Sequence, residues 1–238
     1  MTDFAEIWSY LAEGPLVWLT LTLVAWVVAD ALSAATGRAP LANPVLIAVL
    51  LLSLTLWGSG TPYATYFEGA QFVHFLLGPA TVALAVPLYQ QRHQIRRAVL
   101  PVLAALLAGS LVAVVSALWI AASLGLDGDL LATLAPKSTT APVAIGIAET
   151  LGGSPTLAAV LVLLTGLVGA MMVTPLFNAL GISDWRARGL AVGVAAHGIG
   201  TARALQVNPT AGAFAGIGMG MNAILTAALA PIVLRLFL

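Results

Sequence analysis

The fold is decided by Leu134-Ala135-Pro136-Lys137-Ser138-Thr139-Thr140-Ala141-Pro142, which sets a lysine, three consecutive hydroxyls and two prolines in a chain otherwise close to pure hydrocarbon. Proline removes a helix donor and clashes with the preceding turn, so neither proline suits an unbroken helix. Pro142 does suit the first turn of a new helix, and Thr140 suits the cap before it. The spacing therefore predicts a break at 136–140 and a helix from about Ala141 to Leu151. The N-terminus of that helix, with about half a positive charge and free N–H groups, would face Ser138, Thr139 and Thr140. Lys137 adds a full charge beside it, which makes the break a candidate anion site. The competing reading has Lys137 snorkelling to the interface and the prolines only kinking a helix. Three hydroxyls beside the lysine are hard to explain that way.

Composition places this break in a membrane. The chain has 238 residues, 61% hydrophobic and 8% charged, with a mean hydropathy of +1.03. Soluble domains carry about 25% charged residues, so these are too few to cover a water-facing surface. Strands of alternating polarity, the mark of a transmembrane barrel, are absent. The class is an all-α polytopic membrane protein whose main surroundings are the lipid bilayer. The net charge is zero and gives no reason to expect nucleic acid. No cysteine is present, which excludes disulfides, thiol catalysis and thiolate metal sites. No cofactor, metal or enzymatic activity is expected. Asp3, Glu6 and Glu13, with no basic residue among them, do not make a signal-peptide start.

Crossing the hydrocarbon takes about 20 apolar residues. Six spans are expected: Gly14–Ala29, Asn43–Trp57, Gly69–Tyr89, Ala98–Leu124, Pro155–Leu180 and Ala211–Leu236. Leu130–Gly152 and Gly189–Val207 are apolar but interrupted. Arg38, the group Arg92, Arg96 and Arg97, and the pair Arg186 and Arg188 mark cytoplasmic loops. The pattern fits an external N-terminus and two interrupted segments that each return to the side they entered, from opposite faces. Arg235 is the exception. A span followed by a broken helix occurs twice, an inverted repeat of the kind that points to a transporter's binding site. The expected division is a scaffold and dimerisation unit over 1–97, and a transport unit over 98–238 containing the broken segments 130–152 and 189–207.

The second break is read at Ala196-His197-Gly198-Ile199-Gly200-Thr201-Ala202-Arg203. Gly200 permits close approach, and Thr201 is expected to cap a helix running on through Leu205. Two helix N-termini meeting at mid-membrane would hold an anion without a metal. His197 either donates to a carboxylate and carries a proton, or is a structural hydrogen-bonder. Arg203 either binds substrate bidentately or pairs with Glu149. Glu149 itself bears a coupling proton or neutralises Lys137 or Arg203. Asn222 is either a site residue or a packing one. Gly212, Gly216 and Gly220 are expected to form a ridge for close helix contact. Thr165, Thr174 and Asn178 are weaker candidates. A serine hydrolase using Ser138 and His197 lacks a positioned acid and is disfavoured.

These blocks resemble the LrgB/CidB family of bacterial membrane proteins, whose plant relatives are plastid glycolate/glycerate transporters. The likeness rests on residues 74–89, on Pro136–Pro142, on His197–Ala204 and on Gly212–Asn222. It implies a bacterial inner-membrane protein made alongside a smaller LrgA/CidA-type membrane partner. It also implies either movement of small carboxylates such as glycolate or pyruvate, or holin- and antiholin-like control of murein hydrolases and autolysis. The residues favour the first: a secondary transporter of small 2-hydroxy or 2-oxo monocarboxylates. Its candidate site is Lys137, Ser138, Thr139, Thr140, His197, Gly200, Thr201, Arg203 and Asn222, with Glu149 as charge partner. By analogy with other inverted-repeat transporters, the scaffold of spans one to three would form a homodimer.

Overall fold

The computed structural model describes residues 14–76, 79, 82, 83 and 85–238, helices joined by turns and short irregular links with no strand among them. The expectations for the extreme N-terminus and for parts of the third span and of the block 74–89 lie outside the described residues. Two compact units are present, Met1–Ala83 and Leu84–Leu238. Among the described residues four helices are long and apolar enough to cross a membrane: Pro15–Ala35, Val99–Ser123, Pro155–Ala179 and Pro209–Leu234.

The first unit contains α1 (Pro15–Ala35), α2 (Pro44–Ser59) and α3 (Tyr63–Phe75). α1 runs six residues past the expected end at Ala29. Asp30 does not stop it, because Arg38 folds back and pairs with it at 2.8 Å. That reversal uses the left-handed conformations of Gly37 and Arg38. α2 starts where expected because the Asn43 side chain accepts the N–H groups of Val45 and Leu46 ahead of Pro44. α3 starts six residues before the expected Gly69, at Tyr63. It packs on α1 through fully buried Trp18, whose ring meets Tyr66 edge-on at 6.0 Å. Gly69 lies against the Pro15 carbonyl, where any Cβ would overlap.

The second unit contains α4 (Ala85–Gln90), α5 (Arg92–Arg97), α6 (Val99–Ser123), α7 (Gly128–Leu134), α8 (Ala141–Thr150), α9 (Pro155–Ala179), α10 (Trp185–Val207) and α11 (Pro209–Leu234). α6, α9 and α11 match expected spans to within two residues at each end. The two interrupted segments lie between them, and each folds back on itself. In the first, the Thr133 hydroxyl on α7 accepts the Ser154 N–H at 2.8 Å, so the chain beyond α8 has returned to α7. Ile147 and Leu151 pack into the same core as Leu131 and Ala135.

In the second, α10 breaks at Ala196 (φ −126°, ψ 15°) and His197 (φ 39°, ψ −129°). Beyond the break Gly200 lies against Val192. Arg203, Ala204 and Val207 share a small cavity with Trp185, Arg188 and Gly189, so the two ends of α10 lie side by side. The first half of α10 then runs parallel to α11 in backbone contact. A Cβ on Gly189 or Gly193 would overlap the carbonyls of Ala211 and Ala215. This Gly189-x-x-x-Gly193 pair makes the close approach that small residues permit. The expected Gly212/Gly216/Gly220 ridge is therefore only part of the contact. Gly212 meets Leu205 and Gly218 meets the Leu190 carbonyl, whereas Gly220 is open.

The ends of these elements are fixed by two shared cavities. Arg97, Asp184 and Arg186 line one, which puts the starts of α6 and α10 at the same end of the unit. Asp127, Gly128, Phe237 and Leu238 line another, which puts the end of α11 with the start of α7.

Candidate functional site: two helix breaks joined by one amide

At the first break the chain leaves α7 through tight turns, with Lys137 N–H on Leu134 O at 3.1 Å and Thr139 N–H on Pro136 O at 3.0 Å. The Thr139 hydroxyl also donates to Pro136 O, at 2.9 Å, and its side chain is fully buried. Thr139 is therefore spent on building the tip and does not present its hydroxyl to a ligand. Thr140 is extended (φ −70°, ψ 149°) and its carbonyl accepts Ala144 N–H at 2.9 Å, so it is the N-cap residue of α8, as its sequence position predicts. Its hydroxyl makes no capping bond. The N–H groups of Ala141 and Val143 in the first turn of α8 thus have no intrahelical acceptor, and Pro142 has no N–H to satisfy.

Lys137 is half-buried, and its Nζ donates to Ser138 Oγ at 3.2 Å. Both residues line a cavity of about 550 Å³ between α6, α9 and α10. Its other walls include Gly109, Thr165, Gly169, Val194 and Ala195, and Lys137 is the charged residue among them. A half-buried cation facing an apolar space favours an anionic occupant, because a charge held away from water without a counter-charge is costly.

At the second break the helix restarts at Gly198, and His197 occupies the cap position. Thr201 is not the cap. It lies a turn inside, where its hydroxyl back-bonds to His197 O at 2.7 Å. The expected start was displaced because no proline marks it, and His197 itself takes the left-handed φ. The His197 Nε2 lies 2.9 Å from the Val162 carbonyl of α9. A carbonyl only accepts, so Nε2 carries the proton and Nδ1 is the acceptor of the neutral ring. The ring fills the space above Gly166, where a Cβ would collide with it.

Asn222 joins the two breaks. Its Nδ2 donates to Ser138 O at 2.9 Å and to Val194 O at 3.2 Å. Its Oδ1 accepts from Ser110 Oγ at 2.7 Å and from Thr226 Oγ1 at 3.3 Å. In an unbroken helix Val194 O would serve the Gly198 N–H. The break releases it, and Asn222 satisfies it. With both donors and both acceptor sites engaged, this fully buried amide is a clamp on the two tips, not a reader of substrate hydroxyls.

The remaining candidates separate from this cluster. Gly200 packs α10 against itself at Val192 and Ala196. Arg203 lines the small cavity at the paired ends of α10, with Arg188 and Thr174. Arg188 there donates to Ile182 O and Asn178 Oδ1, tying down the turn after α9. Glu149 is exposed in the last turn of α8, about 12 Å along the axis from its start. Among the described residues no hydrogen bond joins Ser138 to His197: Ser138 Oγ accepts from Lys137, and His197 Nε2 donates to Val162 O. The sequence reading missed Ser110 and the Gly189/Gly193 pair. The i, i+4 glycine spacing was a signal for the pair, whereas nothing marks Ser110 except a hydroxyl within an apolar span.

The LrgB-like family pattern covers residues 22–236. The chain is 37% identical over 198 residues to the uncharacterized protein YxaC of Bacillus subtilis, covering 83% of this chain and 86% of that one. It is 34% identical, with the same coverage, to the holin-like protein CidB of Staphylococcus epidermidis. It is also 36% identical to an uncharacterized protein of Haemophilus influenzae, over 82% of this chain and 84% of that one. No solved structure matches. The paired breaks, the apolar helices around them and a match along nearly the whole chain agree, and the protein belongs to the LrgB-like family.

Proposed function

We propose that the protein is a secondary transporter of small 2-hydroxy or 2-oxo monocarboxylates in the bacterial cell membrane. The observation that carries this reading is the single Asn222 amide bonded to both helix breaks beside the Lys137 cavity. A substrate carboxylate lies against Lys137 Nζ, Ser138 Oγ and the free N–H groups that start α8. The cavity admits a two- or three-carbon acid together with hydration water. α7/α8 and α10 are re-entrant hairpins from opposite faces, with α6, α9 and α11 as the crossing helices. The cavities that pair the start of α6 with the start of α10, and the end of α11 with the start of α7, support this. Such irregular backbone persists at depth only where protein or a watery cavity satisfies it. The first unit is the scaffold and dimer contact, and a small LrgA/CidA-type protein is its membrane partner.

The test is uptake of labelled glycolate or pyruvate by liposomes holding the purified protein. Saturable uptake competed by unlabelled carboxylate, and lost in Lys137→Ala with unchanged gel-filtration behaviour, is the expected result. No such uptake, with or without the smaller partner, overturns the reading.

A second reading has a specific observation behind it, the holin-like name of the CidB relatives. On that reading the protein acts on autolysis by forming or regulating lesions. It predicts dye leakage from the same liposomes that survives Lys137→Ala.

A further inference from the structure

We propose that the Lys137 site is reached through a groove between α6 and α10, with Arg97 as the charge that gathers anions at its mouth. This rests on the anion-site reading above and adds the route and its charge filter.

The groove is seen as two cavities that share walls. The deeper one, of about 550 Å³, ends at Lys137 and Ser138. The outer one, of about 310 Å³, is bordered by Arg97, Asp184 and Arg186. Ala105, Ala187 and Leu190 line both, so the two spaces adjoin along α6 and α10. Two small-residue rows face each other along it, Ala105, Gly109 and Ala113 on α6 and Ala187, Ala191 and Ala195 on α10. Residues four apart share a helix face, and none of these six carries a side chain long enough to plug the passage.

The charges at the mouth are unequal. Asp184 grips Arg186 through both carboxylate oxygens, with Arg186 Nη2 to Oδ2 at 2.6 Å and Nε to Oδ1 at 3.0 Å. The hydrogen bonds from Arg186 hold the Asp184 carboxyl at about 2, so the pair is internally neutral in any ordinary buffer. Arg97 is exposed in the last turn of α5. It supplies the net charge at the mouth, as Lys137 does at the floor. An anion thus meets positive potential at both ends of an otherwise apolar passage. Arg97 and Arg186 also belong to the arginine-bearing loops, which assigns this mouth to the cytoplasmic face.

The absence of native cysteine makes the test direct. Ala191→Cys, in the groove wall, is reacted in vesicles of each orientation with impermeant methanethiosulfonates carrying a sulfonate or a trimethylammonium. Reaction is expected only from the face bearing Arg97, with the sulfonate favoured relative to a free thiol in solution. A unit charge about 8 Å away in water shifts the anion-to-cation rate ratio by about fivefold at low salt. Arg97→Gln should remove about that factor. Arg186→Gln, which leaves Asp184 unopposed, should lower the ratio similarly, and Asp184→Asn should raise it. Ile224→Cys, on the exposed face of α11, is the unreactive control. Gel filtration confirms that each variant is folded. No reaction at Ala191→Cys, reaction from the opposite face only, or a ratio indifferent to Arg97→Gln overturns the proposal. Labelling needs no transport, so the expected labelling without carboxylate uptake leaves the route standing and removes the transporter reading.

Discussion

The break at Pro136–Thr140 is held open by its own sequence, whereas the break at Ala196–His197 is held open by its neighbours. In the first, two prolines forbid a continuous helix, Thr139 closes the turn on Pro136 and Thr140 restarts the ladder. In the second, no proline intervenes. The residue in the left-handed region is a histidine, at φ 39°, although glycine follows it directly. With ψ at −129° the residue lies outside the αL well, where an L-residue bears strain of about 1–3 kcal/mol, and the bonds to Val162 and from Asn222 to Val194 offset it. A break of the first kind survives most changes around it. A break of the second kind depends on each contact that pins it.

The sharpest way to break this comparison is Asn222→Leu. It leaves Ser138 O, Val194 O and the Ser110 hydroxyl without the amide, and each unsatisfied buried group costs about 1–3 kcal/mol. The variant should show the largest fall in detergent melting temperature of any discussed here, with loss of uptake. A wild-type melting curve would mean that the tips are not held by the shared amide.

Gly193→Ala comes next. The added methyl meets the Ala215 carbonyl, which belongs to a helix backbone and cannot turn aside. Overpacking of this kind costs about 1–3 kcal/mol. The same methyl at Gly220, where nothing lies within 4 Å, should be neutral or slightly stabilising. Equal melting temperatures for the two variants would contradict the parallel backbone contact.

A finer test acts on the breaks themselves. His197→Ala loses the Val162 bond and keeps the unfavourable φ, whereas His197→Gly loses the bond and relieves the φ. The glycine variant should therefore be the more stable by about 1 kcal/mol, the reverse of the usual order within a helix. At the first break, Thr140→Ala should cost well under the ~1 kcal/mol of an ordinary cap, because its hydroxyl makes no capping bond. Thermal melts of the three variants check both statements.

The same contrast explains what could be read from the chain. Pro136 and Pro142 act locally, so the start of α8 was placed at Ala141 and its end within one residue. Four of the six expected spans, those of α1, α6, α9 and α11, were legible because hydropathy and proline at the first helical turn are local as well. The second break was read over Ala196–Arg203, which contains it, but the helix start was set at Thr201, a turn too late, because what sets it lies on α9 and α11, at Val162 and Asn222. Asn222 stood out as a polar residue in an apolar helix, but its role depends on three groups distant in sequence, at Ser110, Ser138 and Val194. Glu149 was read as a coupling or charge partner because an acid at membrane depth needs a reason, but two turns along α8 carry it away from Lys137, to an exposed position. Arg203 likewise points to the paired ends of α10, a consequence of the fold-back that no local pattern encodes.

The smallest expected effect concerns the end of α10 farthest from its break. Asp184 caps that helix by accepting Arg186 N–H at 2.8 Å, and its carboxyl is held at about 2, chiefly by the Arg186 side chain. A carboxyl with its folded value below the unfolded one, about 3.9, stabilises above the unfolded value and loses that contribution as pH falls toward 2. Both side chains are about half exposed, so water and salt screen the pair and its contribution is small. Asp184→Asn keeps a capping oxygen but not the charge. The wild type should therefore melt slightly above the variant at pH 7, and the gap should close between about pH 4 and pH 2 and shrink in high salt. A gap that widens on acidification would reverse the sign of the linkage, and would mean that α10 is anchored at this end by something other than the Asp184–Arg186 pair. Because this end lies far from Val162 and Asn222, Asp184→Asn should leave the stability order of the His197 variants unchanged. Coupling between the two would show that the halves of α10 share one cooperative unit, and that the break divides the geometry of the helix without dividing its energetics.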